Sequence, residues 1–178
     1  MPTVPLHPAV VHVPLGLAMV LPFVAIGLIW AIWRKWLPHG AWGIALGLQV
    51  LLAATGFVAL QSGERDEEVV ERVVPEAAIE AHEERGELFV WWNVGVLAFV
   101  LLPLVLRRAG STSRLRLEAL ALLGMLGASF LAYRTGAAGG ELVFVHGAAQ
   151  AHIQRGAAPA QLPATTGGEH EESEAHED

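Results

Sequence analysis

Four separate apolar blocks constrain this chain more than any other feature: Val13–Trp33, Ala41–Gln61, Leu88–Leu106 and Leu117–Tyr133. Each holds between 17 and 21 residues. As helices they are about the length needed to cross a hydrocarbon layer roughly 30 Å thick. A domain of 178 residues has too little interior to bury four such blocks in water. In lipid, helices satisfy their own backbone groups. The sequence therefore predicts an all-α integral membrane protein, a four-transmembrane-helix bundle with helices at about 9–33, 41–61, 76–106 and 115–135. The first block lacks a basic leader and a small-residue cleavage site, so it is expected to stay as the first helix.

Basic residues set the expected orientation. Arg34 and Lys35 separate the first two blocks, and Arg107, Arg108, Arg114 and Arg116 lie between the last two. The segment Ser62–Glu87 carries ten acids against three arginines. Positive loops stay inside, which puts both termini and the acidic segment outside. In a bacterium this means the inner membrane, with both termini on the periplasmic side. The chain has no cysteine, which excludes disulfides, thiol catalysis, thioether-attached haem and cysteine-held clusters. Any metal must be held by His, carboxylate or Met. The net charge of −7 opposes nucleic-acid binding.

Local signals refine the elements. Pro8 suits a first helical turn, and Pro14 and Pro22 are expected to kink the first helix. "GIALG" at Gly43–Gly47 and the pair Gly124 and Gly127 permit close helix approach. Pro75 splits the acidic segment into two helical pieces, the second running into the third block. On that helix His82, Gly86, Phe89 and Asn93 share a face. Gly136, Gly139 and Gly140 predict a loop, followed by an apolar hook that returns His146 to the bundle. Residues 156–178 have the composition of a disordered acidic tail.

A short internal match, "FVALQSGE" from Phe57 and "FLAYRTGA" from Phe130, suggests a duplicated helical hairpin. His12 precedes the first copy by 45 residues and His82 precedes the second by 48. A two-fold axis along the membrane normal would then set these two histidines facing one another.

Of eight histidines, His7, His12, His82, His146 and His152 fall on the outer side. Ionisable and coordinating groups beside hydrocarbon are costly and tend to mark function. Three readings follow. In the first, His12 and His82 ligate a b-type haem for electron transfer, Arg134 and Asn93 orient or neutralise it, and His7 and His146 stand behind them or form a second site. In the second, His7, His12, His82 and His146 bind a non-haem transition metal with Glu64, Glu83 or Glu141. In the third the histidines only cap helices and the protein is a structural or assembly subunit. His7 and His12 are about 140° apart on a continuous helix, so sharing one ion would need a non-helical start. No clean Glu-x-x-His supports a di-iron bundle.

"LHPAVVHVPLGLA", "SGERDEEVVE", "IEAHEERGE" and "GGELVFVHG" together resemble the predicted bacterial membrane proteins grouped as domain of unknown function 2231, over roughly residues 5–150. The resemblance points to His7, His12, His82 and His146. Some members of that family are fused to Rieske-type or cytochrome c-type domains, which implies a place beside respiratory electron transfer. For this chain it implies the lipid bilayer and a separate periplasmic carrier or respiratory complex as partners.

Overall fold

The computed structural model describes residues 6–106 and 110–156. Among these there are helices and no strand: α1 Leu6–Val10, α2 His12–Trp33, α3 Gly43–Val70 entered through a 3-10 turn at His39–Trp42, α4 Glu76–Val105, α5 Ser111–Phe144 and α6 Ala148–Gly156. The predicted acidic tail from residue 157 onward lies outside the described residues, as do Arg107 and Arg108.

Four stretches are long and apolar enough to cross a membrane: Leu6–Trp33, His39–Val70, Glu76–Val105 and Ser111–Phe144. The helices α2 to α5 close a square, each packed on its two neighbours, while the diagonals α2–α4 and α3–α5 do not touch. An even number of crossings returns the chain to the end where it started. That end is the capped end, covered by α1 against α3 and by α6 against α3 and α5. The other, open end carries the His39–Trp42 turn and the α4–α5 connection.

The side chains are sorted in the sense opposite to a water-soluble protein. The bundle interior is rich in small residues, including Ala18, Ala25, Ala45, Ala121, Ala128 and Ala132, each at most 2% exposed. Phe23, Trp91, Leu123 and Phe130 point outward, 59–73% exposed. Lipid tails are as apolar as these side chains, so the bundle is held by close packing and internal hydrogen bonds and not by their burial. Gly127 and Gly124 make the α4–α5 seam. A Cβ at Gly127 would lie 2.6 Å from Trp92 Cζ2, and one at Gly124 would lie 2.8 Å from Val96 Cγ2. The close approach lets Trp92 Nε1 donate to the Gly124 carbonyl at 2.8 Å. At Gly43 and Gly47, expected to serve the same purpose, an added Cβ would meet no atom of the described residues within 4 Å.

Polar groups in the bundle core meet each other. Gln49 Nε2 donates to Asn93 Oδ1 at 3.0 Å, and Asn93 Nδ2 donates to the Phe89 carbonyl at 2.8 Å. Ser129 Oγ donates to the Ala18 carbonyl, and Trp42 Nε1 to that of Val100. Such bonds across membrane helices are worth about 0.6–2 kcal/mol each.

Two boundaries differ from expectation. The helix breaks at Val11 because Pro14 has no N–H for the Val10 carbonyl and its ring crowds that carbonyl. The Gly136–Gly140 stretch is helical and not a loop: α5 runs to Phe144, and the turn comes at Gly147, whose φ of 75° is left-handed. Three glycines weaken a helix by about 1 kcal/mol each relative to alanine, yet here Gly136 lies against Leu15 and Gly139 against the His82 ring. At the open end α2 closes with a Schellman turn, Trp36 N–H to Ala31 O and Lys35 N–H to Ile32 O, with Lys35 at φ 59°.

Candidate functional site

The helices α3, α4 and α5 are 28, 30 and 34 residues long, some ten residues more than a bilayer core requires. The surplus lies at the capped end, where the charges of the acidic segment stand clear of hydrocarbon. Val74, Ile79 and Ala148 form a small apolar knot there that ties α3, α4 and α6 together.

Two imidazoles meet beneath this cap. His7 of α1 and His82 of α4 have ring centres 6.0 Å apart and planes at 85°. They come from opposite corners of the helix square, α1 leading into α2. Each ring lies on a glycine of a neighbouring helix. A Cβ at Gly63 would stand 3.3 Å from His7 Cε1, and one at Gly139 would stand 3.1 Å from His82 Cε1. His7 precedes its glycine by 56 residues and His82 precedes its own by 57. The two spacings are alike, with His7 and not His12 meeting His82, but the internal match pairs Gly63 with Gly136, three residues before the glycine under His82.

The hydrogen bonds of His7 define its tautomer. His7 Nδ1 lies 2.9 Å from the Ala59 carbonyl and 3.0 Å from Ser62 Oγ. Ser62 Oγ itself donates to the Ala59 carbonyl at 2.7 Å. A carbonyl only accepts, so His7 carries its proton on Nδ1, and in the neutral ring Nε2 keeps its lone pair. The His7 backbone N–H reaches Asp66 Oδ2 at 3.3 Å. His82 stands beside the Thr135 backbone, and its Nδ1 is buried with no partner. Thr135 is held in turn, its hydroxyl donating to the Arg85 carbonyl. Burial, and next the nearby His7, hold the His82 imidazole below its ordinary value, against an opposing pull from the Thr135 backbone.

The other sequence-predicted groups are elsewhere. His12 is exposed, and its Nδ1 donates to the Pro8 carbonyl at 2.6 Å within its own turn. Asn93 lies eleven residues beyond His82, about 16 Å along the helix, and is engaged with Gln49. Arg134 is exposed and sits over the Phe130 ring at 5.9 Å. His146 Nε2 is 3.9 Å from Glu141 Oε1 beside the Gly147 turn. Glu64 is exposed. Glu83 shares a hydrogen bond with Glu67, and burial first, then the charges of Glu67, Glu64 and Glu87, push its carboxyl above the ordinary range. Among the described residues no three of His, Asp and Glu gather closely enough to hold an ion. At the open end Glu118 has its carboxylate on His39 Nε2 at 3.1 Å.

Sequence reasoning missed Ala59, Ser62, Gly63, Thr135 and Gly139. The signal for four of them was in the repeat: "ALQSG" ends at Gly63, and Thr135 occupies the matching place of Ser62 in "AYRTG".

Four spans, large side chains outward and small ones inward define an integral membrane helix bundle, here with a pair of imidazoles at its capped end. The chain belongs to the family described as predicted membrane protein (DUF2231), whose model matches residues 3–152. No curated protein and no solved structure matches it.

Proposed function

We propose that this membrane protein holds one transition-metal atom between His7 and His82, with the capped end facing outward, and exchanges electrons there with a carrier outside the membrane. One observation carries the reading: the two rings stand edge to face with centres 6.0 Å apart, His7 with Nδ1 on the Ala59 carbonyl and Nε2 left with a lone pair, and His82 with a buried Nδ1 that has no partner. Ligating histidines commonly carry such a bond on the second nitrogen, which fixes the tautomer and ring orientation. Two nitrogens about 2.0–2.1 Å from a single metal atom place the ring centres roughly 5–6.5 Å apart, depending on the angle at the metal, and the observed 6.0 Å falls inside that range.

Imidazole suits copper, zinc, iron and nickel, and copper heads the affinity order. Only two protein ligands favour the cuprous ion, a d10 ion content with two-coordination. A second reading keeps the same ligands: the 85° angle between the rings also suits the two axial positions of a b-type haem. The bare ion is the smaller demand, needing the two nitrogens and no slot for a porphyrin. The basic loops at the open end support the orientation, since positive loops remain on the cytoplasmic side.

Elemental analysis of the detergent-purified protein, together with a dithionite-reduced minus oxidised visible spectrum, tests this. Near one equivalent of copper and a flat spectrum is the expected result. Sharp α and Soret bands would move the assignment to haem. Neither metal nor haem after growth with ample copper and iron would overturn both readings and leave a structural role.

A further inference from the structure

We infer that the open end of the bundle carries a binding site for the phosphate group of an anionic phospholipid. A cavity of about 300 Å³ opens there, lined by His39, Gly40, Leu104 and Arg114. It lies where three elements meet: the turn leading into α3, the last turn of α4 and the first turn of α5.

The charges around it are arranged for an anion. Glu118 is 96% buried beneath the turn, its Oε1 on His39 Nε2 at 3.1 Å. The carboxylate is thus engaged by the imidazole, which fixes the ring at the mouth of the cavity. Arg114 lines the cavity and brings the permanent charge of its guanidinium to it. The surrounding surface strengthens this, because Arg34, Lys35 and Arg116 belong to the same end.

Position selects the source of the phosphate. Trp33 and Trp36 stand 68% and 62% exposed on the adjoining turn, where amphipathic aromatic rings mark the level of lipid headgroups. A basic pocket between membrane helices at that level is the setting in which acidic headgroups are bound. A soluble phosphate ion would meet the same cations but would gain nothing from this depth.

The test is native mass spectrometry of the full chain released from detergent after titration with phosphatidylglycerol, with phosphatidylcholine and with inorganic phosphate in parallel. Retained phosphatidylglycerol in excess of phosphatidylcholine is expected, with occupancy falling about fivefold in Arg114→Gln, the effect of one cation near a lipid surface. Arg116→Gln, which does not line the cavity, is expected to match the unaltered protein. Should Arg114→Gln lose its helical spectrum, His39→Gln carries the same expectation. Equal retention of the two lipids, or undiminished retention in correctly folded Arg114→Gln or His39→Gln, overturns the site. Inorganic phosphate displacing the lipid at equal concentration overturns the assignment to a lipid headgroup.

Discussion

His7 and His82 owe their positions to what lies behind them. A methyl group at position 139 would press on the His82 ring at 3.1 Å, so the neighbour must shift by a few tenths of an ångström. Gly139→Ala is therefore expected to weaken metal retention about tenfold, the scale seen when the support of a ligand is disturbed, while leaving the helical spectrum intact. Titration gives a second handle. The lowered His82 value means that below pH 6.5 the unfolded chain takes up a proton the folded chain resists. Stability due to neutral His82 is thus complete above pH 6.5 and lost as the pH falls through the lowered value. Glu83 has the opposite sign: its raised value favours the folded state at low pH, and that gain is lost as the pH rises above 4.5 through the raised value. Thermal unfolding in detergent should therefore show Glu83→Gln more stable than the parent at neutral pH, and His82→Gln with a flatter acid limb. A less stable Glu83→Gln would show that its carboxylate is a needed partner.

At the scale of elements, the helices were legible because the bilayer sets a length that apolar composition reports directly. What was illegible followed from the same source. Mean hydropathy says where a helix crosses, not which way its faces turn, so the sequence favours His12 over His7 as the partner of His82, whereas the break at Val11 sets the His12 ring outward and the His7 ring against Gly63. The Gly136–Gly140 stretch read as a loop because isolated propensity disfavours glycine in a helix, whereas packing under His82 reverses that preference. The seam between α4 and α5 makes a related prediction. Gly127→Ala forces a methyl into Trp92 at 2.6 Å and should cost about 1–3 kcal/mol as overpacking. Gly47→Ala meets open space and should leave the thermal midpoint unchanged or slightly raised. Equal midpoints for the two variants would mean that the seam is not formed in the membrane.

For the whole molecule, the even number of crossings and the diagonal placement of α2 and α4 bring the first and second halves of the chain to one capped end. The pairing of His7 with His82 across the bundle axis needed three dimensions to identify, because the short internal match does not align the two glycines on which the rings lie. Orientation is open to a direct check because the parent has no cysteine. In intact cells a membrane-impermeant maleimide should label Glu71→Cys and spare Lys35→Cys, and the reverse pattern would place the imidazole pair inside. The central claim is that His7 and His82 together form one binding site, and a competitive titration of cuprous ion against a coloured chelator tests it most directly. The account predicts one site in the parent and in His12→Ala, and loss of at least tenfold in affinity in His7→Ala and His82→Ala alike. Unchanged affinity in either of the last two, or loss in His12→Ala, would contradict it.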